Sequence, residues 1–494
     1  MLCSVVLCIT LYTCILRVSI HNPIKIVFSY SIHVSALLFL TAIRLGNAFI
    51  INNEVCPAEA PCRCYGTTVN CAAKHMTTMP NFTFTRPASG VSHRELTIDL
   101  QKNQLTNIPA RAFPDINEAS FSRIFIFFQE NRIRSIDNDA FFGFGNSSVE
   151  INLSDNNLNS LPRALNNIGN LQSLWLTGNP IAYLDNAIMT HIGRTLKTLY
   201  LDMSVLAIWP HGMDYLTELR DMHAIGIPFS NLPDNAFDKM VKLERLEIAY
   251  SKLHQIPTSI CQLASLEHFE FHHNDHIPYS ATQLISCQNP LQHVLYVGLN
   301  NNDLSFFPPN VLRVFTNTRT LDLSYNRISS IPDSLVPGSN QLYYFYISHN
   351  AFTQLPSVVS KMGELLNIVA NGNPINSIDG STLSHLNKLN QVTLNDVPLT
   401  YLDPHAFSTS YVLRNLYLER TNLTSVPAAI MHSADRFTVF MTGSPVECTC
   451  TNLAFIREWP VTDFSSYKKR VNGQCVNINS SIQNFIIGLP GNCP

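Results

Sequence analysis

The sequence predicts an α/β repeat solenoid with a parallel concave β-sheet, about fifteen repeats and disulfide-bonded caps. Three observations support this prediction. An apolar motif recurs every 23 to 28 residues, its alternating apolar positions suit a short strand with one buried face, and cysteines cluster at both ends of the motif array. Because one such unit cannot bury its apolar face alone, stacked neighbours have to supply the core.

Composition narrows the class of protein before any motif is considered. Charged residues make up 14% of the 494 residues, 32 Lys and Arg nearly balance 35 Asp and Glu, and the hydrophobic share is 46%. This balance excludes a nucleic-acid partner bound by electrostatic attraction, and it excludes a disordered polar chain. Thirteen cysteines are many for a cytosolic protein, where thiols are kept reduced.

The first 48 residues are predicted to be a signal or leader region. Residues 2–16 and 26–43 are apolar runs, and the second ends in Gly46-Asn47-Ala48, whose small residues suit cleavage after Ala48. The secreted chain would then have no membrane span, because no apolar stretch long enough to cross a bilayer follows. An N-terminal signal anchor is the alternative, and it stays open whether residues 1–25 are a true part of the protein.

The remaining cysteines indicate a disulfide framework. Without the leader ten are left, an even number, and neither terminal cluster has the paired CxxC spacing of a zinc site. They fall into an N-terminal cluster, a C-terminal cluster and a central pair: Cys56, Cys62, Cys64 and Cys71; Cys448, Cys450, Cys475 and Cys493; and Cys261 with Cys287. The central pair occupies matching places on consecutive units and could form a bridge on the convex side.

The repeat follows the pattern L-x-x-L-x-L-x-x-N-x-L, and we call its Asn position the ladder position. Its polar side chain can bond backbone groups of the adjacent turn. The ladder positions carry Asn in nine units and another residue in six: Asn103, Asn131, Asn156, Asn179, Asn274, Asn302, Asn326, Asn350 and Asn373, and Ser204, Ile227, Ser251, Val397, Thr421 and Ser444.

This pattern resembles the extracellular leucine-rich repeat proteins with cysteine-rich N- and C-terminal caps. The resemblance implies a horseshoe with an N-terminal cap at 49–94, repeats at 95–447 and a C-terminal cap at 448–494. It also implies four disulfides: Cys56–Cys64, Cys62–Cys71, Cys448–Cys475 and Cys450–Cys493.

Departures from the pattern predict local irregularity. Ile227 and Val397 have no side chain that can form hydrogen bonds, so the turn groups there need other partners. We expect local bending or looser stacking at these units, and a change of curvature where the consecutive units of Ser204, Ile227 and Ser251 lack Asn.

The residues between the two strand leucines are expected to form one column on the concave face. Two sets of aromatic residues lie on this face, and exposed aromatic clusters are typical interface anchors. Large residues that merely cover their own sheet are the alternative. We call Phe125, Phe127, Trp175 and Tyr200 the N-terminal aromatic group, and Tyr296, Tyr344, Tyr346, Tyr417 and Phe440 the C-terminal aromatic group.

Between these groups the same face carries histidines and glutamates. His268 and His272 are four residues apart, roughly 13 Å along a strand, so metal ligation would have to cross strands and no metal site is predicted. A pH-sensitive contact surface is a stronger interpretation, since imidazole titrates near pH 6.5, and a solvated polar face is stronger still. The residues are His223, Glu247, His268, Glu270, His272 and His273.

Five N-x-S/T sequons would be exposed to glycosylation in a secreted chain. A glycan on Asn152 would stand inside the N-terminal aromatic group. The sequons begin at Asn81, Asn146, Asn152, Asn422 and Asn479.

The sequence predicts a binding protein rather than an enzyme. It contains no G-x-S-x-G, no H-E-x-x-H and no phosphate-binding glycine loop, so neither catalysis nor a cofactor is expected. The expected partner is an extracellular protein or glycan, and dimerisation stays open. The resemblance extends to Toll-like and lymphocyte receptors, to slit and chaoptin, and to small leucine-rich proteoglycans and the non-catalytic subunit of a secreted luciferase. Innate immune recognition, signalling, adhesion and a matrix or accessory role therefore all stay open.

Overall fold

The computed structural model describes most of the chain after the predicted leader, which itself lies outside the described residues. Val55–Pro494 form one unit. The described ranges are 56–84, 95–145, 147–278, 284–338, 340–432, 434, 436–458, 461–466 and 468–489.

The repeats form a single long sheet, in which the described residues contribute eighteen strands. Every neighbouring pair is parallel except β1 with β2, which is antiparallel within the N-terminal cap. Two short parallel pairs, β4 with β6 and β17 with β19, lie outside this sheet. In chain order the strands are β1 (Arg63–Tyr65), β2 (Thr68–Asn70), β3 (Glu95–Asp99), β4 (Asn107–Ile108), β5 (Arg123–Phe127), β6 (Ser135–Ile136), β7 (Ser148–Asn152), β8 (Leu171–Trp175), β9 (Thr198–Asp202), β10 (Asp221–Ile225), β11 (Arg245–Ala249), β12 (His268–His272), β13 (Tyr296–Gly298), β14 (Thr320–Asp322), β15 (Tyr344–Tyr346), β16 (Asn367–Val369), β17 (Ser377–Ile378), β18 (Gln391–Thr393), β19 (Tyr401–Leu402), β20 (Asn415–Tyr417), β21 (Phe437–Phe440) and β22 (Lys469–Asn472).

Short helices follow the strands in many units and cover the outer side of the core. Several 3₁₀ helices begin directly after a proline, whose fixed φ suits the start of a helical turn. The α-helices are α1 (Asn186–Ile192), α2 (Val311–Val314), α3 (Val461–Ser465) and α4 (Ile482–Ile487), and the 3₁₀ helices span Arg163–Asn167, His211–Tyr215, Thr258–Gln262, Asp333–Leu335, Ser357–Lys361, Ala428–His432 and Ala454–Glu458.

Strand alternation separates core from concave surface as the motif predicts. In β5, Ile124 and Ile126 are buried in the core while Phe125 and Phe127 are partly exposed on the other face. The strand register then places the residue between the strand leucines opposite its counterpart in the next unit, from Asp99 to Phe440, so the fifteen residues form one unbroken column.

Each ladder Asn joins its own unit to the preceding one. Asn326 shows the pattern: its Nδ2 donates to the carbonyl oxygens of Leu299 and Leu323, both at 2.9 Å. Its Oδ1 accepts from the amides of Asn302 at 3.1 Å and Leu304 at 3.0 Å. A buried amide side chain thus satisfies buried turn groups in two units at once.

The residue just before the ladder position, which we call the pre-ladder residue, has a positive φ in fourteen of the fifteen units. Left-handed backbone is unfavourable for residues with a Cβ, so this conformation is imposed by the turn. The exception is Met203, which is buried. The fourteen are Lys102, Glu130, Asp155, Gly178, Gly226, Tyr250, His273, Asn301, Tyr325, His349, Gly372, Asp396, Arg420 and Gly443.

Units without ladder Asn use other bonds. Ser204 is exposed, and its amide donates to Asp202 Oδ1 at 2.9 Å, while the Leu206 amide donates to the Met203 carbonyl at 2.9 Å. Ile227 and Val397 are buried among apolar groups. At the last two ladder positions hydroxyls replace the amide, since Thr421 and Ser444 bond each other at 2.9 Å.

The expected looser stacking at Ile227 is wrong for the strands. β10 pairs with both β9 and β11 over five residues without a shift. The register shift in the described sheet lies between β7 and β8, where the ladder residues are Asn. Apolar packing at Ile227 therefore keeps the strand register without a side-chain amide.

Disulfides close both ends. Cys56 is joined to Cys64 and Cys62 to Cys71, the pairs that the resemblance implied for the N-terminal cap. Cys448 is joined to Cys475, and Cys450 is also disulfide-bonded, but Cys493 lies outside the described residues. Cys261 and Cys287 form a further bridge between consecutive units, with Cα atoms 5.5 Å apart.

Candidate functional site

The N-terminal aromatic group lies on the concave face with its rings stacked along the sheet. Trp175 and Tyr200 occupy neighbouring strands with ring centroids 5.8 Å apart, and Tyr200 stacks on His223 at 3.7 Å. Arg123 lies over the ring of Phe125, 5.0 Å from its centroid. All four members are partly exposed.

The C-terminal aromatic group is less continuous. Tyr417 and Phe440 stack at 4.4 Å with nearly parallel rings, while Tyr344 and Tyr346 lie on the same face of β15. Tyr296 stacks instead on His268 at 4.1 Å and leans over Gly298, where an added Cβ would come within 3.1 Å of its ring. Burial and the carboxylates of Asp322 and Glu270 raise the pKa of the Tyr296 hydroxyl, so it stays protonated and can donate.

A polar network, which we call the central cluster, lies between the two groups. His223 Nδ1 bonds one carboxylate oxygen of Glu247, and His272 Nε2 bonds the other at 3.0 Å. All three side chains are buried although they project from the concave face. The cluster comprises Asp221, His223, Arg245, Glu247, His268, Glu270, His272 and His273, which lie on β10, β11, β12 and the residue after β12.

Charged groups surround this buried core. Asp221 Oδ1 lies 3.0 Å from His223 Nε2, although neither atom has a well-directed hydrogen bond within the described residues. Arg245 approaches Glu270 at 3.5 Å, and His268 Nε2 contacts Glu270 at 2.5 Å. Cations and carboxylates therefore alternate across three strands, which offsets part of the cost of burying charge.

The pKa shifts follow from burial and these contacts. Burial disfavours charge on His223, but the carboxylates of Asp221 and Glu247 outweigh burial and raise its pKa to about 9. The pKa of Glu247 is lowered, because its bonds to His223 and His272 overcome the effect of burial. Burial and the neighbouring His272 lower the pKa of His273 to about 4, and burial lowers that of His268. His223 and Glu247 thus form a buried ion pair at neutral pH.

The structure corrects the interpretation of the middle of the face as a solvated polar surface. Glu247 is 6% exposed, His223 3% and His272 4%, so these three are interior groups. Within the described residues no set of three or more His, Cys, Asp or Glu side chains is arranged to hold a metal ion.

Sequence reasoning missed Asp221, Arg245 and Tyr250. Asp221 and Arg245 precede their column residues by two positions, so strand periodicity already places them on the concave face. Tyr250 is a pre-ladder residue, 57% exposed, whose ring stacks on His273 at 4.6 Å. The repeat alignment puts Tyr250 and His273 at equivalent positions of consecutive units, and that signal could have found the pair.

The sequons differ in accessibility. Asn81, Asn422 and Asn479 are exposed, while Asn146 lies outside the described residues. Asn152 is partly exposed between Phe127 and Trp175, and its Oδ1 accepts from the Ser154 amide at 2.9 Å. Glycosylation of all five remains a prediction.

In the part of the chain that the structure describes, no helix is both long and apolar enough to cross a bilayer.

Comparisons with known proteins agree with the repeat assignment. Residues 317–337 match the family described as Leucine Rich Repeat, and residues 347–442 match the BspA type Leucine rich repeat region. Human podocan-like protein 1 is 28% identical over 258 residues, 49% of this chain and 47% of that protein. Human lumican is 24% identical over 180 residues, 36% of this chain and 51% of lumican. The matches thus cover about half of either relative's length.

Solved structures show the same fold. The complex of TLR13 with ssRNA13 matches with a TM-score of 0.61 and 19% identity, over 77% of this chain and 55% of that one. The glycosylated Toll–Spatzle complex of Drosophila matches with a TM-score of 0.52 and 17% identity, over 78% of this chain and 58% of that one. At these identities the likeness concerns the solenoid alone.

Proposed function

We propose that this chain, a leucine-rich repeat protein with disulfide-bonded ends, is a secreted extracellular binding protein whose concave sheet holds a protein partner. One observation carries the proposal: the strand register lines up aromatic side chains on a single continuous face. Aromatic residues supply large contact area at low entropic cost, and they are enriched among the residues that dominate binding energy.

The C-terminal aromatic group is the proposed contact site. Tyr344 and Tyr346 are partly exposed, and no sequon begins in the strands that carry this group. The N-terminal group is less available, because Tyr200 is stacked on His223 and Asn152 bears a sequon between Phe127 and Trp175. Tyr346 and Tyr417 are therefore the expected anchors.

Affinity capture with the secreted chain, followed by titration of the captured partner, tests this assignment. Tyr346→Ala and Tyr417→Ala should each weaken binding about 30-fold, the equivalent of roughly 2 kcal/mol for an aromatic anchor. Val241→Ala is the control, since Val241 is exposed and lies outside the sheet. Wild-type affinity in both tyrosine variants, together with a loss in Trp175→Ala, would move the site to the N-terminal group.

Secretion has its own test. The extracellular relatives and the disulfides support an oxidising compartment. N-terminal sequencing of protein recovered from the culture medium should begin near Phe49. Retention of the protein in carbonate-washed membranes would favour a signal anchor instead.

The proposed role is non-catalytic, with an extracellular protein or glycan as partner. The family matches are to repeats, and no catalytic family is among them. A matrix or accessory role is the second candidate, and the similarity to lumican and podocan-like protein 1 favours it. Identification of the captured partner separates the roles: a structural matrix component supports the second candidate, whereas a soluble ligand or a cell-surface protein supports signalling, immune recognition or adhesion.

A further inference from the structure

The central cluster is one part of a chain of contacts that crosses five consecutive strands. It starts with the rings of Trp175 and Tyr200 and continues through His223 to Glu247. From Glu247 it continues through His272 to His273, whose ring stacks on the exposed Tyr250. This series of side-chain contacts therefore links the N-terminal aromatic group to the pre-ladder residues at the edge of the sheet.

One contact in this series has room for only one hydrogen between its two atoms. His272 Nδ1 and His273 Nδ1 lie 2.7 Å apart, a hydrogen-bond distance between two ring nitrogens. One nitrogen has to donate and the other has to accept, because an N–H on each would place two hydrogens between them. His272 Nε2 donates to Glu247 at the same time. The contact between the two Nδ1 atoms therefore holds as long as one of them, on either His272 or His273, carries no hydrogen.

We propose that the His272–His273 contact is an acid-sensitive latch of the concave face, which opens when both rings become protonated and so makes recognition on this face dependent on pH. This regulation rests on the binding role proposed above. Opening frees the His273 ring from the central cluster, leaving Tyr250 as its neighbour. A cation over an aromatic face is favourable, so the protonated His273 ring can be accommodated against Tyr250.

Neighbouring charges on every packed strand influence the latch. Glu247 on β11 and Glu270 on β12 face His272, at 3.0 and 3.8 Å from its Nε2. Asp221 and His223 on β10 and Arg245 on β11 belong to the same network, with Asp322 on β14 and Tyr296 on β13 next to Glu270. Burial and the adjacent His272 lower the pKa of His273 to about 4, so protonation of this ring requires acid.

The sequence supplies a matched control in another unit. His349 is also a pre-ladder residue with positive φ, and its ring stacks on Tyr325 at 4.3 Å. The residue before it is Ser348, so this unit has the tyrosine–histidine stack without the paired imidazoles. A pH effect caused by the latch should follow His273 and not His349.

Hydrogen–deuterium exchange of the ligand-free chain tests the latch, with rates corrected for the intrinsic pH dependence. In the wild type, protection of segment 268–274 should fall at least tenfold between pH 7 and pH 4. His273→Gln, whose amide can donate to His272 without titrating, should keep its protection within twofold, and His349→Gln should behave as the wild type. Unchanged wild-type protection at pH 4, or an equal loss in His273→Gln, would overturn the proposal.

A second measurement does not depend on any variant. Side-chain ¹⁵N spectra of the wild type should show two imidazoles with Nδ1 shifts of a hydrogen-bonded pair at pH 7, and both should move to imidazolium shifts as the pH falls below 4. Free-imidazole shifts at pH 7 would also refute the latch. Because neither experiment contains a partner, failure of the latch is distinguishable from failure of the binding role.

Discussion

The four units that end at Asn179 and the three that follow satisfy the same turn backbone by different means. In the first set, each ladder Asn bonds carbonyl oxygens of its own and the preceding unit, as Asn156 does with Leu153 and Phe128. In the second set, Ser204 is exposed and Ile227 is apolar and buried. The turn amides of the Ser204 unit bond within that unit instead.

The concave side of the two regions differs as well. In the first set, β3, β5 and β7 alternate buried residues with exposed or partly exposed ones, whereas in β10 and β11 the column residues His223 and Glu247 are buried too. The second set thus carries a buried hydrogen-bond network on its sheet face, while its ladder residue Ser251 still bonds Asn274 in the turn. Strand pairing runs without a shift through β9, β10 and β11, and the register shift lies in the first set between β7 and β8, so loss of the ladder Asn does not disturb the sheet.

The largest expected effect is at Glu247, which joins two histidines of the middle units. Glu247→Ala should lower the free energy of unfolding by about 3 to 5 kcal/mol, because it leaves buried imidazoles without their carboxylate. Denaturant titration followed by circular dichroism measures this. A loss below about 1 kcal/mol would mean that the middle units do not depend on their concave network.

Removal of a ladder amide should cost somewhat less. Asn326→Ala removes bonds to two carbonyl oxygens and two amides, all buried, and should destabilise the chain by about 2 to 3 kcal/mol. Ser204→Ala is the matched change at an exposed ladder position and should stay within about 0.5 kcal/mol. Equal losses in the two variants, measured in the same denaturant titration, would abolish the distinction between units with and without a ladder Asn.

Alkaline pH should weaken the middle units selectively. The pKa of His223 is raised to about 9 in the folded chain from about 6.5 in an unfolded one, so the folded state holds a proton that the unfolded state has released. This contribution is complete below about pH 6.5 and is lost as the pH rises through 9, with a total of roughly 3 kcal/mol. Unfolding free energies between pH 6.5 and 9.5 should fall in the wild type, with a smaller slope in His223→Gln.

The smallest effect is expected for a surface ion pair between units. Lys388 approaches Glu364 at 2.6 Å, but both side chains are about half exposed. Lys388→Ala should therefore change the unfolding free energy by no more than about 0.5 kcal/mol, and less at high salt. An effect as large as that of Asn326→Ala would show that outer charges, and not ladder amides, hold the units together.

The sequence predicts the sheet and its concave column correctly, but it does not predict which polar side chains of that column are buried. The repeat spacing and the two-residue alternation together fix the face and the neighbour of each column residue, so they correctly predict that Trp175 lies beside Tyr200. Burial of His223 could not be read in the same way. It depends on the Tyr200 ring and the Glu247 carboxylate closing over it, and that closure depends on side-chain conformations in three units. The proton count at His272 and His273 depends likewise on one interatomic distance.

Some of the left-handed pre-ladder residues are matched in size to the pre-ladder residue of the preceding unit. At Gly178, Gly372 and Gly443 an added Cβ would collide with the side chain of the preceding unit, namely Asp155, His349 and Arg420. In these three places the pre-ladder side chain is thus followed in the next unit by a glycine that leaves room for it. Duplication, deletion or shuffling of single units by genetic recombination would break such matched neighbours even where the core consensus is intact. The three units that carry these glycines should consequently tolerate exchange together with the unit before them better than exchange alone.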